Sequence, residues 1–277
     1  MKLYNFYKHV ALAATVLLFS SSLFAQEATT KVSSDGFFAA TKIGDGWAIT
    51  EKNSMVGANI YLVLGKDSAL IIDTGYGQGD LKAFIGTLTK LPLIVVNTHG
   101  HGDHAGNNKQ FSKIYLHPDD FYMLQSNNKN APKLVPIREG YVFNLGGGRK
   151  LDVMDVPGHT PGSIVLFDVD SKILFSGDNT NNLVWLFLRD CKPLEVYLQS
   201  LEKVQKRIND FNIVMPGHND PLGKTFIADQ IGCVKAILNG TSEEAPYQHQ
   251  YAQKGVMLAK YGEAQVAYDP KNLRAKK

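Results

Sequence analysis

The chain contains the stretch Leu93-Ile94-Val95-Val96-Asn97-Thr98-His99-Gly100-His101-Gly102-Asp103-His104. Its first residues are apolar and mostly β-branched, which predicts a short buried strand. The two glycines then let the chain turn tightly, so that three imidazoles and one carboxylate can face a common centre. Histidine and aspartate suit zinc and other divalent cations as ligands. The stretch therefore predicts a metal site at a strand end, with a helix beginning near Ala105.

Three later turns repeat this arrangement. Each places one candidate ligand directly after an apolar strand and a glycine: His159 after Pro157-Gly158, Asp178 after Ser176-Gly177, and His218 after Pro216-Gly217. A single residue of this kind is usually a hydrogen-bonded turn residue. Four strand ends with the same ligand chemistry favour convergence on one site instead. The remaining histidines, His9, His117 and His249, are expected to lie outside it.

The spacing of apolar residues predicts two similar halves. Four short strands between residues 37 and 73 precede a helix at Leu81–Leu88, and four more between residues 141 and 176 precede a helix at Pro193–Asp210. Each half would be a sheet with helices on one side, so the stable arrangement packs the two sheets face to face with the helices outside. Residues Asn127–Pro136 are expected to form a polar loop, and residues 255–268 a terminal hairpin.

The N-terminal segment has the pattern of a secretory signal peptide. Lys2 and Lys8 precede an apolar core at residues 10–19. Three serines and then Leu23-Phe24-Ala25 follow this core before Gln26. This core is too short to span a bilayer as a helix but suits a signal sequence. We expect residues 1–25 to be removed, and residues 26–277 to form a single domain that is periplasmic or secreted and has no stable membrane anchor.

The net charge and the two cysteines bear on the kind of partner and on the metal ligands. The formal net charge is +3, from 29 basic and 26 acidic residues, and without Lys2 and Lys8 the balance is 27 to 26. A nearly neutral chain gives no reason to expect nucleic acid as a partner, so a small-molecule substrate is expected, with the oligomeric state left open. Cys191 and Cys233 have no metal-ligand spacing, and their pairing is left open.

The motif at 99–104 closely resembles that of the metallo-β-lactamase fold superfamily of metallohydrolases. Residues 71–75 (Ile-Ile-Asp-Thr-Gly) and 216–218 (Pro-Gly-His) extend the resemblance over nearly the whole mature chain. It implies an α/β fold, the four-layer αββα sandwich, and a centre of two metal ions. It implies that the first metal is held by His99, His101 and His159, and the second by Asp103, His104 and His218, with Asp178 bridging both. Two zinc ions are the expected cofactor, with iron or manganese as alternatives.

This ligand set predicts a hydrolase. Two adjacent divalent cations lower the pKa of a shared water from about 15.7 towards ~7, so a metal-bridging hydroxide would attack an ester, thioester, lactone or similar bond. Asp103 would also act in catalysis, by orienting the nucleophile and moving a proton. In having Asp at position 178, the chain resembles the glyoxalase II and lactonase members of the superfamily, whereas the zinc β-lactamases carry Cys or Ser at that position. The alternatives are a zinc β-lactamase, a mono-iron sulfur dioxygenase and a non-catalytic zinc-binding protein.

An apolar run follows the bridging residue, at positions 181–190. Two interpretations remain open. The run is either core packing, or Trp185 and Phe187 form the wall of a pocket for an apolar acyl or aromatic group. In the second case Arg189 or Lys224 would be available for a carboxylate.

Overall fold

The computed structural model describes residues 31–52, 57–125 and 128–275. The strands of these residues form three sheets, of eight, six and four strands. The predicted signal segment lies outside the described residues, so its removal and the domain start at residue 26 stay predictions. Lys31–Lys277 form one compact unit. Among the helices of the described ranges, none is long and apolar enough to cross a membrane.

The first sheet joins an antiparallel meander to a set of parallel strands. Its strands, which lie side by side in chain order, are β1 (Lys31–Ser34), β2 (Phe38–Ile43), β3 (Gly46–Glu51), β4 (Asn59–Leu64), β5 (Ala69–Ile72), β6 (Leu93–Val96), β7 (Lys113–Leu116) and β8 (Lys133–Pro136). Neighbours are antiparallel from β1 to β5 and parallel from β5 to β8. A parallel neighbour needs a crossover, which helix α1 (Leu81–Leu88) provides between β5 and β6.

The second sheet places two of the candidate ligands side by side. Its strands are β9 (Val142–Asn144), β10 (Lys150–Asp155), β11 (Ile164–Asp168), β12 (Ile173–Gly177), β14 (Ile213–Pro216) and β15 (Leu222–Gly223), in the order β15-β14-β12-β11-β10-β9. Strands β12 and β14 are parallel neighbours. Parallel strands end at the same edge of a sheet, so Asp178 after β12 and His218 after β14 come close together.

The third sheet lies outside the two-sheet pattern that the sequence predicts. Its strands are β13 (Leu183–Leu186), β16 (Glu243–Pro246), β17 (Met257–Tyr261) and β18 (Ala264–Tyr268), in the order β13-β18-β17-β16. The predicted terminal hairpin is the antiparallel pair β17–β18. The apolar run after Asp178 becomes β13 because it pairs in parallel with β18, a partner about eighty residues away in the chain.

The helices and three apolar cores define the layers. The other helices are α2 (Gly102–Ala105), α3 (Phe121–Leu124), α4 (Leu194–Gln205) and α5 (Phe226–Asn239), with 3-10 turns at Asn108–Gln110 and Pro118–Asp120. Tyr61 and Phe175 belong to the core between the two large sheets. Phe84 of α1 packs in the core on the outer face of the first sheet. Tyr197 of α4 and Ile227 of α5 pack in the core on the outer face of the second sheet. This is the αββα sandwich that the sequence predicts.

Three local predictions were wrong. The segment predicted as a loop, Asn127–Pro136, ends in strand β8. This strand lies at the edge of the sheet, where proline is tolerated, and it is too short to show an alternation of apolar and polar residues. The helix expected from Ala105 onwards is α2, which ends there and lies inside the ligand motif. The helix predicted at Pro193–Asp210 ends at Gln205, and turns follow it.

Candidate metal centre

The loop after β6 is shaped by close packing at one glycine. A Cβ at Gly100 would lie 2.8 Å from the sulfur of Met123, so only glycine fits there without a shift of that side chain. The following residues form the single turn α2, in which the His104 N–H donates to the carbonyl oxygen of His101. This turn brings Asp103 and His104 round to the same centre as the two histidines before them.

The structure brings all seven predicted ligands together. They form three overlapping groups, and the candidate ligand atoms within each group lie within 4.8 Å of one another. The groups are His99, His101 and His159; His99, His104 and Asp178; and Asp103, His104 and His218. The group of His99, His101 and His159 matches the ligands expected for the first metal, and the group of Asp103, His104 and His218 matches those expected for the second. We call these two the outer groups. Whether each residue binds a metal stays a prediction.

Asp178 lies between the two positions and uses both of its oxygens. Its Oδ1 is 3.3 Å from Nε2 of His104. Its Oδ2 is 3.4 Å from Nε2 of His218 and 3.5 Å from Nε2 of His159. A carboxylate in this place contacts ligands of both groups, which is the geometry expected of a bridging residue.

The ring nitrogens that point away from the centre are held by other groups. Nδ1 of His104 lies 2.9 Å from a carboxylate oxygen of Asp73. Nδ1 of His159 donates to the backbone oxygen of Trp185 at 2.8 Å. Nε2 of His101 lies 2.9 Å from a carboxylate oxygen of Asp190. Such contacts fix the tautomer and orientation of a ligand imidazole, so these rings are held for binding through their other nitrogen.

Two aspartates that the sequence did not single out support the centre. Asp190, described above, lies in the loop after β13. Asp120 is fully buried, and its carboxylate accepts hydrogen bonds from the Gly100 N–H (3.0 Å), the Thr160 hydroxyl (2.6 Å) and the Gly162 N–H (2.7 Å). It joins the loop of His99–His104 to the loop of His159. In the sequence Asp120 resembles an ordinary residue at a helix start, so no local pattern distinguishes it.

The histidines outside the centre also have defined places. His117 is buried; its Nδ1 accepts from the Asp119 N–H, and its Nε2 lies 3.0 Å from Nη1 of Arg138. His249 lies in an aromatic cluster described below, and His9 lies outside the described residues. Both cysteines are buried and free.

Burial and neighbouring charge divide the histidines of the centre into two kinds. Burial, together with the neighbouring imidazoles, lowers the pKa of His99 well below its usual value and that of His159 to about 4. Burial also opposes the charged form of His104 and of the partly exposed His218, but nearby carboxylates outweigh it. Asp178 and Asp73 raise the pKa of His104 well above its usual value, and Asp178 and Asp103 raise that of His218 to about 10. Hydrogen bonding to His218 outweighs burial at Asp103 and lowers its pKa to about 2.

The donor set fits a pair of divalent cations. Nε2 of His99 is buried and has no hydrogen-bond partner within the described ranges, which is costly unless another group binds it. Nε2 of His104 and Nε2 of His218 are 3.3 Å apart, a separation that requires a proton or a cation between them. Imidazole nitrogens and carboxylate oxygens are among the ligands that zinc takes in catalytic sites.

We expect Asp190→Ala to weaken metal binding about 10- to 100-fold, because loss of the carboxylate frees the orientation and tautomer of His101. Competition with a fluorescent chelator measures this without any substrate. Asp170→Ala is the matched control, since Asp170 is an exposed carboxylate outside the centre. Equal metal affinity in the two variants would contradict a role for Asp190 in holding His101.

Comparison with known proteins gives consistent matches. A family model described as the metallo-beta-lactamase superfamily matches residues 55–218. The acyl-coenzyme A thioesterase MBLAC2 of Homo sapiens is 30% identical over 236 residues, covering 68% of this chain and 83% of that protein. An atrochrysone carboxyl ACP thioesterase of Aspergillus terreus is 29% identical over 132 residues, covering 46% of this chain and 40% of that protein.

Solved structures agree on the fold. A metallo-beta-lactamase from Pontibacter korlensis superposes with a TM-score of 0.61 at 22% identity, covering 72% of this chain and 99% of that chain. The structure of VMB-1 superposes with a TM-score of 0.62 at 22% identity, covering 73% of this chain and 99% of that chain. At this identity the likeness supports the architecture and says nothing about substrate.

Proposed function

This chain belongs to the metallo-beta-lactamase superfamily and is a hydrolase, and from that premise we propose that it cleaves thioesters with two zinc ions. The observation that carries the two-metal part is the position of Asp178, whose two oxygens contact ligands of both groups. The thioester part is supported by both relatives described above, which are named as thioesterases of acyl-coenzyme A and of an acyl carrier protein.

The residues of the centre would divide the work as follows. His99, His101 and His159 would hold one cation, and Asp103, His104 and His218 the other, with Asp178 between them. When bound, the cations would supply a water of lowered pKa and polarise the carbonyl oxygen of the substrate.

Asp103 is the residue that we propose moves a proton. Its carboxylate is 21% exposed, so it reaches the open side of the centre, and its Oδ2 is 3.3 Å from Nε2 of His218. A pKa of about 2 keeps the carboxylate ionised, and it can therefore accept a hydrogen bond from the attacking water. As the water attacks the carbonyl carbon, the carboxylate would take its proton, and it would pass that proton to the sulfur as the C–S bond breaks, so that a carboxylic acid and a thiol are released.

We expect the purified protein to contain about two zinc ions per chain and to release thiol from acyl thioesters. Removal of the metal with a chelator should abolish thiol release, and added zinc should restore it. The assay is colorimetric detection of free thiol, with elemental analysis of the same sample. A panel with a chromogenic β-lactam and a lactone tests the alternatives.

Different results would separate the parts of this proposal. A sample with full zinc and no thiol release from any acyl thioester would contradict the thioesterase. Thiol release by a protein with a single iron per chain would contradict the proposal of two zinc ions, and the thioesterase activity would still stand. Faster turnover of the β-lactam than of every thioester would favour the zinc β-lactamase instead.

A further inference from the structure

Five aromatic side chains form a continuous group on one face of the third sheet. We call it the aromatic cluster, and its members are Trp185, Phe187, Tyr247, His249 and Tyr251. The centroid of the Trp185 ring lies 4.6 Å from that of His249 and 5.3 Å from that of Phe187. The rings of Tyr247 and His249 are nearly parallel, at 12°, and Tyr251 lies 5.4 Å from His249.

The third sheet has two unlike faces, and only one of them is covered by the main core. On β13, Val184 and Leu186 point into the core that also contains α4 and α5. Trp185, on the opposite face, belongs to a separate small cluster. On that face the rings of Trp185 and His249 remain half-buried, and Tyr251 is 58% exposed. Phe187 is buried on this second face with Val256 and Ala267, so the part of the cluster that stays open is formed mainly by Trp185, His249 and Tyr251.

The aromatic cluster begins beside the metal centre. The backbone oxygen of Trp185 accepts the hydrogen bond from His159, and the Cys191 thiol donates to the backbone oxygen of His159 at 3.2 Å. Asp190, which lies between Trp185 and Cys191 in the sequence, contacts His101. The segment from 185 to 191 is thus attached to two candidate ligand rings. Because this segment is hydrogen-bonded to the rings of His101 and His159, the aromatic cluster lies next to residues that would hold the first metal.

The chemistry of the cluster selects the kind of group. It consists of aromatic rings, which bind apolar groups by burial and by ring contacts. Rings inclined to one another at angles such as 43° and 56° offer both faces and edges, an arrangement that receives another planar ring by offset stacking and edge-to-face contact. An aliphatic chain would gain burial there but none of this directional contact.

We propose that the aromatic cluster binds a planar aromatic acyl group of the substrate thioester. The proposal rests on the thioesterase function above, which it deepens by naming the acyl class. Trp185 supplies the contact nearest the scissile carbonyl, and His249 and Tyr251 form the outer part of the surface.

Trp185 itself can report binding. The chain has two tryptophans, so Trp47→Phe leaves Trp185 as the only one, and Trp47 lies on β3, away from the centre. The probes are the amide analogues of phenylacetyl and hexanoyl N-acetylcysteamine, in which nitrogen replaces the thioester sulfur. We expect saturable quenching of the metal-loaded Trp47→Phe protein by the phenylacetyl amide, at a concentration several-fold lower than the hexanoyl amide requires. Equal quenching by both, or none, would overturn the proposal.

Kinetics of a peripheral variant test the same surface. We expect Tyr251→Ala to lower the ratio of kcat/KM for the phenylacetyl thioester over that for the hexanoyl thioester by roughly three- to tenfold, chiefly through KM. Tyr261→Ala is the matched control, because Tyr261 is 51% exposed, compared with 58% for Tyr251, and belongs to the third sheet but not to the cluster. An unchanged ratio in Tyr251→Ala would overturn the proposal.

The remaining outcomes distinguish this proposal from the function on which it rests. Quenching by the phenylacetyl amide in a zinc-loaded protein that hydrolyses no thioester would overturn the thioesterase and leave the aromatic binding surface standing. If Tyr251→Ala changes the oligomeric state in light scattering and leaves the kcat/KM ratio as it was, the cluster is a contact between copies of the chain, and the proposal is wrong.

Discussion

Asp178→Ala should reduce thioester hydrolysis by several orders of magnitude and lower the metal content below two per chain. Asp178 contacts candidate ligands of both groups, whereas each histidine of the outer groups serves one side. Its removal takes a negative charge from between two cations, whose mutual repulsion is then less well balanced. Elemental analysis and thiol release, measured on one preparation, check both parts of this expectation.

The controls for Asp178→Ala separate loss of the centre from loss of the fold. Asp170→Ala removes an exposed carboxylate near the same sheet and should change neither quantity. His117 also lies outside the centre, but it is a poor control, because its side chain is buried beside Arg138 and its removal would cost stability. Circular dichroism should show the same sheet content in Asp178→Ala and the parent chain. Two metals per chain and ordinary activity in Asp178→Ala would show that the bridging assignment is wrong.

We expect Gly217→Ala to reduce activity about 100-fold, although it adds a single methyl group, because it displaces the reacting groups. A Cβ at Gly217 would lie 2.2 Å from Oδ1 of Asp178 and 2.8 Å from Cε1 of His104. Both distances are shorter than real contacts allow, so the carboxylate and the imidazole must move. The effect arises from space and not from backbone strain, since Gly217 is not among the residues with positive φ.

Gly223→Ala is the control for this variant. Gly223 lies on β15, beside β14, and the nearest atom to an added Cβ is 3.7 Å away. Metal content, activity and thermal unfolding should all match those of the parent chain. If Gly217→Ala also matches the parent in activity, the reaction does not depend on the position of the Asp178 carboxylate, which contradicts our proposal.

The ligands were predictable because each is marked by its neighbours in the sequence. An apolar strand followed by a glycine and then by His or Asp is a local pattern, and its repetition identifies His159, Asp178 and His218 along with the first motif. The sandwich was predictable for a similar reason, since the alternation of strands and helices follows from hydrophobic spacing.

The supporting residues could not be predicted in this way. Asp120 and Asp190 meet the centre only through tertiary contacts, and neither has a neighbour in the sequence that marks it. The third sheet was missed because β13 needs a partner near the chain's end, and an apolar run alone does not distinguish a strand from a core segment. In both cases the missing information is which distant residues meet.

The division of the candidate ligands between two sheets has a consequence for how a ribosome delivers this chain. Chains emerge N-terminus first, and their domains fold as units. When the first sheet has emerged, the loop after β6 holds His99, His101, Asp103 and His104, but His159, Asp178 and His218 are still to be made. Translation must pass residue 218, and the second sheet must dock, before a metal meets its full set of donors. Metal binding with the full set of donors is therefore a late event, which follows the packing of the second sheet on the first.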